Sequence, residues 1–251
     1  MSFFNAVLSG YESYTPADLG NKRFEATTLY PGLLVGSGYN HEIGKQRDEL
    51  KQVDELKLGF FFDHTSGLPC IPGSSVKGIL RHAFEIEKGE YVLSVIEEIQ
   101  NKERTIESPT LFEIDKIKAI MESKNNKASP FVSVVFDGRD STGKYLPLKD
   151  RDIFFDAFPV KSGNQDGVFL KNDYITHHEN KFKNPNPVQF LKVLPEVTFR
   201  FPFRLTDEPV KADVKLELFR QIILDLGAGA RTNVGYGQFK PALLESATLK
   251  T

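Results

Sequence analysis

Two segments of this 251-residue chain place donors and cations where a turning backbone can offer them to an anion. The first is Gly73-Ser74-Ser75. It follows Gly67-Leu68-Pro69-Cys70-Ile71-Pro72, whose prolines and glycines enforce an extended, turning backbone. Ser74 or Ser75 is expected to cap a helix that starts there. Amides at a helix start, with the positive end of the helix dipole, make an anion site. Lys77 and Arg81 are four apart on the face opposite the apolar stripe and add two cations suited to backbone phosphate. The plainer reading is a capping serine beside a solvated face. The second segment, Gly227 to Gly237, holds Gly227, Gly229, Gly235 and Gly237, which permit positive φ and close backbone approach. Arg231, Thr232 and Asn233 put donors at its centre. The plainer reading here is a long helix cap and a hairpin turn. Neither segment is a nucleotide fingerprint. The Gly-x4-Gly-Lys-Ser/Thr spacing is absent, and the second loop leaves a helix where a dinucleotide loop opens one.

A third segment, Asp173 to Lys192, reads as irregular, with Asn184-Pro185-Asn186-Pro187 at its centre. Lys181, Lys183 and Lys192 make it locally basic, and Tyr174, Phe182 and Phe190 are interleaved. Such a stretch lines single-stranded nucleic acid by stacking and charge, or is a surface loop with its aromatics packed inward. The five histidines form no metal or catalytic pattern. His177 and His178 are adjacent and point to opposite faces of any strand. His41 and His64 fall in polar loops, and His82 on the first helix. Asp140, Asp150, Asp152 and Asp156 are near enough in sequence to recruit a divalent cation. Asp156, inside Phe154-Phe155-Asp156-Ala157-Phe158, reads instead as a structural residue at a strand end. Gly-x-Ser-x-Gly is absent. The single Cys70 makes neither an internal disulfide nor a multi-cysteine metal site. No cofactor or metal is expected.

The charge balance restricts how these segments meet a polyanion. Thirty-two basic and 34 acidic residues leave a formal net charge of −2. A free-standing nucleic-acid binder is usually basic, so contact must come through a local patch or as one subunit of an assembly. Hydrophobic residues at 40% and charged residues at 26% suit a globular chain with a real core. No apolar run nears the ~20 residues that span a bilayer, and the N-terminus carries no secretory signal, so a cytoplasmic protein without membrane partners is expected.

The elements that position the segments follow from periodicity. Phe3 to Tyr11 has helical spacing. Phe24 to Val35 reads as a strand interrupted at Pro31. Val76, Ile79, Leu80, Ala83 and Phe84 form one helical stripe, predicting a helix to about Lys88 that stops near Gly89. Glu90 to Ser129 reads as a helical insertion, with helices around Tyr91–Ile99 and Leu111–Met121. Phe131–Phe136 and Asp152–Val160 read as strands. Val197 to Leu205 alternates strictly, and Pro202 predicts an edge position. Asp213 to Leu226 is helical, and Gln238 to Leu244 is a final strand. This is an α+β chain, a single domain over residues 1–251 with the βαββαβ order of a modified ferredoxin-like (RRM-like) fold. The helical insertion spans about 90–129.

Gly67-Leu68-Pro69 through Ile71-Pro72-Gly73-Ser74-Ser75-Val76-Lys77-Gly78-Ile79-Leu80-Arg81 resembles the signature of the RAMP superfamily of CRISPR effector subunits. Leu226 to Gly237 is similar to that superfamily's C-terminal glycine-rich loop. Within it, three features resemble the sixth-subunit family of type III-B (Cmr) complexes. They are Gly36-Ser37-Gly38 with His41, the Phe154-Phe155-Asp156-Ala157-Phe158-Pro159 strand, and Asp173 to His178 followed by Asn186-Pro187 and Phe190-Leu191. The resemblance runs from about Phe24 to Leu243. It implies a ribonucleoprotein subunit that holds the 3′ part of a CRISPR guide RNA near the end of a backbone filament in antiviral defence. Guide RNA, target RNA, and other RAMP and small Cmr subunits are the implied partners. Ser74, Ser75, Lys77, Arg81, Gly227, Gly229, Arg231, Thr232 and Asn233 become candidate RNA contacts, joined by His41, His177 and Lys181. Target-cleaving relatives carry Asp-x-Pro after the first strand. Here Tyr39-Asn40-His41-Glu42-Ile43-Gly44 lacks it, so the resemblance implies a non-catalytic subunit. The alternative is a guide-processing endoribonuclease with His41 as general base.

Overall fold

The computed structural model describes residues 19–36, 41–42, 55–56, 61–103, 118–119, 121, 129–177 and 186–242. In chain order the elements are β1 (Lys22–Thr28), the short strands β2 (His41–Glu42) and β3 (Glu55–Leu56), α1 (Gly73–Ala83), α2 (Glu90–Glu103), α3 (Pro130–Val135), β4 (Ile153–Phe154), β5 (Phe158–Lys161), β6 (Leu170–His177), β7 (Asn186–Val193), β8 (Thr198–Arg204), α4 (Ala212–Leu226) and β9 (Phe239–Pro241). The expected helix at Phe3–Tyr11 lies outside the described residues. So does the one at Leu111–Met121, apart from Lys118, Ala119 and Met121, which are helical.

The alternation of β8 builds the core. Val197, Phe199, Phe201, Phe203 and Leu205 are all buried. A strand points alternate side chains to opposite faces, so these five share one face. Phe24 of β1 stacks on Phe201 at 4.9 Å, and Phe203 meets Phe219 of α4 at 5.8 Å. Phe154 and Phe136 close the same cluster. The other face carries the directly opposed pairs Glu25–Arg200 and Thr27–Thr198. The large number of phenylalanines in the chain is thus core material. Truncating such a buried ring costs about 3–5 kcal/mol.

The sheet runs β4/β5–β8–β1–β9, antiparallel throughout. This corrects the expected edge position of Val197–Leu205, because β8 is central. Pro202 is tolerated there for a local reason. Its carbonyl accepts from the Phe155 amide at 3.3 Å, so the side where an N–H would point faces the break between β4 and β5. The Asp152–Val160 strand is accordingly two short strands rather than one. The expected strand at Phe131–Phe136 is instead helix α3. The Ser129 hydroxyl accepts from the Val132 amide and Pro130 takes the first turn, a capping pair that overrides the β-branched composition. Phe131 then stacks on Phe84 at 5.1 Å. In α2, Val92, Val95, Ile96 and Ile99 are buried, as their spacing predicts.

One buried charge ties the sheet to α4. Lys215 is fully buried, and its ammonium donates to Asp152 Oδ2 at 2.6 Å and to the Glu208 carbonyl at 3.0 Å. The other Asp152 oxygen accepts from the Thr206 amide at 2.7 Å and the Thr206 hydroxyl at 3.0 Å. Burial pulls the Lys215 pKa down, and Asp152 opposes the shift. Removing one member of such a pair strands the other charge, whereas replacing both is far milder. Asp152→Ala is therefore expected to lower unfolding free energy by about 3–5 kcal/mol. Asp152→Ala combined with Lys215→Met should recover most of that loss. Urea unfolding of the single and double variants measures both, and equal losses would show that the pairing is not the cause.

Candidate nucleic-acid interface

Four residues after β1 hold the candidate segments together. The chain turns at Tyr30-Pro31-Gly32, and Leu33, Leu34 and Val35 are buried. Leu33 exchanges two backbone hydrogen bonds with Val193 of β7, at 3.0 and 2.8 Å. The Gly237 amide donates to the Gly32 carbonyl at 2.8 Å, and the Ala230 amide to Leu34 at 2.9 Å. The Phe61 amide donates to Val35 at 3.1 Å, and Cys70 in turn to Phe61 at 3.3 Å, on the path into α1. One short extended segment thus carries the glycine loop, the β6–β7 hairpin and the approach to α1.

The glycine loop is built by close backbone approach. A Cβ at Gly237 would lie 1.8 Å from the Ala228 carbonyl oxygen, and one at Gly229 would lie 2.2 Å from that of Leu34. The Ala228 amide donates to the Gly237 carbonyl at 2.9 Å and closes the loop base. Above that base, Arg231 is left-handed at φ 60° and Thr232–Val234 form a 3-10 turn. Asn233 and Val234 are exposed, and Arg231 and Thr232 are half-buried. Arg231 forms no ion pair among the described residues. The glycines Gly227, Gly229 and Gly237 therefore serve the frame, and the donors sit at its tip.

The segment from Asp173 to Lys192 is not irregular at its ends. β6 and β7 pair in register from Leu170↔Val193 to His177↔Asn186. Alternation of Asn and Pro hid this strand, because proline lacks a ladder donor. The Tyr236 hydroxyl of the glycine loop donates to Asp173 Oδ2 at 3.2 Å, and Lys192 reaches the same oxygen at 2.5 Å. Phe190 meets the Tyr236 ring edge-on at 6.2 Å. Burial pushes the Asp173 carboxyl up, but Lys192 and the Tyr174 amide outweigh it and hold the group below the ordinary carboxylate range. Burial, then Asp173, raises the Tyr236 phenol. Arg231 and Tyr30 lie near enough to act on that phenol electrostatically. Tyr30 itself is 83% exposed. Loop, hairpin and the Tyr30 turn thus form one constellation.

The first turn of α1 differs from expectation. Neither Ser74 nor Ser75 caps the helix: Pro72 is the cap residue, and both serines lie exposed in the first turn. The Gly73 amide donates to Asp156 Oδ1 at 2.6 Å, so the protein's own carboxylate takes the helix start. The structural reading of Asp156 is the one that holds. Arg81 is bound by Asp137 and approached by Glu85 at 3.9 Å. Lys77 has no ion partner among the described residues. No hydrogen bond or ion pair joins the α1 first turn to the glycine loop among those residues.

His41 begins β2 and His177 ends β6, and their side chains are not described. Lys181 lies outside the described residues. Among the described residues no group of three His, Cys, Asp or Glu could hold a metal ion. Asp152 is committed to Lys215, and Asp140 to its own turn at Thr142 and Lys144. Burial pushes the Cys70 thiol up to about 12. No helix among the described residues is long and apolar enough to cross a membrane. Sequence reasoning missed Tyr30 and Tyr236. The Pro31-Gly32 pair was the available signal, since a turn exposes the aromatic before it.

A model described as the RAMP superfamily matches residues 25–240. Similar curated proteins include the CRISPR system CMR subunit Cmr6 of Saccharolobus solfataricus, 28% identical over 192 residues and covering 74% of this chain and 50% of the relative. The CRISPR system Cmr subunit Cmr6 of Pyrococcus furiosus is 23% identical over 198 residues, covering 68% and 58%. The chain thus spans only 50–58% of the length of these relatives. Among solved structures, a chain of a type III-B Cmr-beta complex bound to cognate target RNA matches at TM-score 0.48, with 24% identity over 88% of this chain and 57% of that one. The crystal structure of Cmr6 from Pyrococcus furiosus matches at TM-score 0.44, with 19% identity over 88% and 97%.

The close approach at Gly237 generates a stability test. Gly237→Ala forces a Cβ onto a backbone carbonyl and strains a φ of +71°. Gly143→Ala carries a similar φ of +84° with nothing within 4 Å. Positive-φ strain alone costs on the order of 1–3 kcal/mol. Thermal unfolding should show the larger drop in midpoint for Gly237→Ala. Equal drops would mean that the loop base yields without cost.

Proposed function

The chain belongs to the RAMP superfamily, and from that premise we propose that it is a non-catalytic RNA-binding subunit of a type III-B CRISPR (Cmr) effector complex. In this reading it holds the 3′ part of the guide RNA at the end of the backbone filament, with RAMP and small Cmr subunits and target RNA as partners, in the cytoplasm. The strand order last–first–third–second, with α1 and α4 packed together against one face, supports a ferredoxin-like βαββαβ domain. Residues 90–129 are its insertion.

The observation that carries the reading is the glycine-loop tip. Arg231 and Asn233 stand at the tip of a main-chain frame, and Arg231 and the exposed Tyr30 both lie near enough to Tyr236 to act on its phenol. Phosphate contacts, side-chain hydrogen bonds and base stacking together are how single-stranded RNA is held. The α1 turn contributes less than its sequence suggests. Asp156 holds the Gly73 amide and Asp137 holds Arg81, which leaves Lys77 and the exposed hydroxyls of Ser74 and Ser75. In this reading His177 and Lys181 are further RNA contacts, and Gly227 and Gly229 act through the backbone.

Binding of the full chain to a fluorescent single-stranded RNA, titrated across salt, tests this. Arg231→Ala and Lys77→Ala should each lower the salt slope by about 0.7. Tyr30→Ala should weaken binding by about fivefold to a hundredfold, the value of one stacked base at ~1–3 kcal/mol. Unchanged slope and affinity in all three would overturn the interface. In the same samples the labelled RNA should remain intact. Cleavage that His41→Ala abolishes would replace this reading with the endoribonuclease one.

A further inference from the structure

The loop between α3 and β4 sits at the other end of the sheet from the glycine loop. It joins β4 where Phe154 pairs with Phe203, and Phe203 pairs with Lys22 at the start of β1. The glycine loop meets the chain beyond the end of β1, at Gly32. The 139–151 loop is therefore placed to act independently of the proposed RNA surface.

The loop is preorganised by its own cations. Arg139 donates to the Gly143 carbonyl at 2.8 Å, Arg151 to Leu146 at 2.6 Å, and Arg204 of β8 to Leu148. Asp140 accepts from the Thr142 amide at 2.9 Å, the Thr142 hydroxyl at 2.6 Å and the Lys144 amide at 3.0 Å. Antiparallel bridging of Arg139 and Tyr145 closes the turn. Within this frame two large apolar residues point outward: Tyr145 is 58% exposed and Leu148 is 66% exposed. Lys144 and Lys149 flank them, exposed and without ion partners among the described residues. A rigid loop presenting an aromatic and an aliphatic anchor binds with little loss of conformational freedom.

Charge and geometry identify the occupant. Residues 138–151 carry four cations against two carboxylates, one of them consumed by its own turn, in a chain whose net charge is −2. A nucleic acid fits poorly. The Tyr145 ring is already covered by guanidinium groups, with Arg139 at 3.9 Å and Arg151 at 5.4 Å from its centroid. Both terminal nitrogens of Arg139 are committed within the loop, to the Gly143 carbonyl and to the Tyr145 hydroxyl at 2.5 Å, and an exposed leucine gains nothing from phosphate. We propose that the 139–151 loop is a protein-docking element, in which Leu148 enters an apolar pocket on a partner protein, the guanidinium-capped Tyr145 packs at the mouth of that pocket, and Lys144 and Lys149 pair with carboxylates on its rim.

The test uses the tagged full chain in its native cell, with the photoreactive p-benzoylphenylalanine introduced at Leu148. After irradiation, the crosslinked species is purified and its attachment point mapped by mass spectrometry. The expected result is one protein peptide, apolar at the crosslinked residue and bearing aspartate or glutamate beside it. Lys144→Glu with Lys149→Glu should cut that crosslink by about tenfold. Tyr145→Ala should reduce it, and all three substitutions should leave the RNA affinity of the full chain unchanged. A crosslink to RNA, a crosslink to a peptide without carboxylates, the absence of any crosslink, or a loss of RNA affinity in these variants would each overturn the proposal. The RNA titration is separate, so failure of the docking loop and failure of the RNA reading are distinguishable.

Discussion

Everything near the candidate interface depends on the backbone of Gly32–Val35. Those four residues bond β7, the glycine loop and the strand leading to α1. Backbone contacts of this kind need close approach, and a Cβ at Gly32 would lie 2.1 Å from the Val193 carbonyl oxygen. Glycine at 32, 229 and 237 is thus a requirement of packing main chain on main chain. The functional gain is indirect. Because the frame is held by main chain, the side chains of Arg231, Thr232 and Asn233 are left over for a ligand. The same junction explains why Asp173 and Tyr236, 63 residues apart in sequence, meet within one network that also includes Tyr30.

Electrostatics show why a near-neutral chain still offers separated basic points. Several cations that could form a basic stripe are used internally: Arg200 on Glu25, Lys192 on Asp173, Lys215 on Asp152 and Arg81 on Asp137. Asp156 at the α1 start shows the same economy. A helix N-terminus attracts an anion, and here Asp156 in the break between β4 and β5 supplies it. That contact fixes the helix to the sheet edge, and it also removes the helix start from the set of strong phosphate sites. The motif Gly73-Ser74-Ser75 is therefore as much a packing motif as a binding one.

What was legible in the sequence follows the strength of the local signal. The β8 alternation, the α1 and α2 stripes and α4 are read directly, since burial imposes periods of two and 3.6 on them. The two recognisable motifs also point to the right family. Four features were hidden. The β-branched run of α3 looked like a strand, and only Ser129-Pro130 announced the helix. The hairpin β6–β7 was masked by Asn186-Pro187. Pro202 looked like an edge because the β4–β5 break that excuses it is non-local. The Lys215–Asp152 pair was not readable either, because the two residues lie 63 positions apart. For Pro202 and Lys215 the decisive partner is distant in sequence, whereas the α3 cap and the β6–β7 pairing are local signals outweighed by composition.

The arrangement of the sheet separates two kinds of surface. At the far end of β1, glycine-enabled main-chain packing leaves polar side chains free beside an exposed ring. At the near end, arginines are turned inward onto carbonyls, and the apolar side chains Tyr145 and Leu148 are left outside. The same residue type is spent oppositely at the two ends. Among the described residues Arg231 has no ion partner, whereas Arg139, Arg151 and Arg204 each donate to a backbone carbonyl. A polyanion selects free cations, and a protein pocket selects rigid apolar anchors. Nothing in the overall charge or composition separates these ends. The difference arises entirely from which hydrogen bonds the fold completes for itself and which it leaves open.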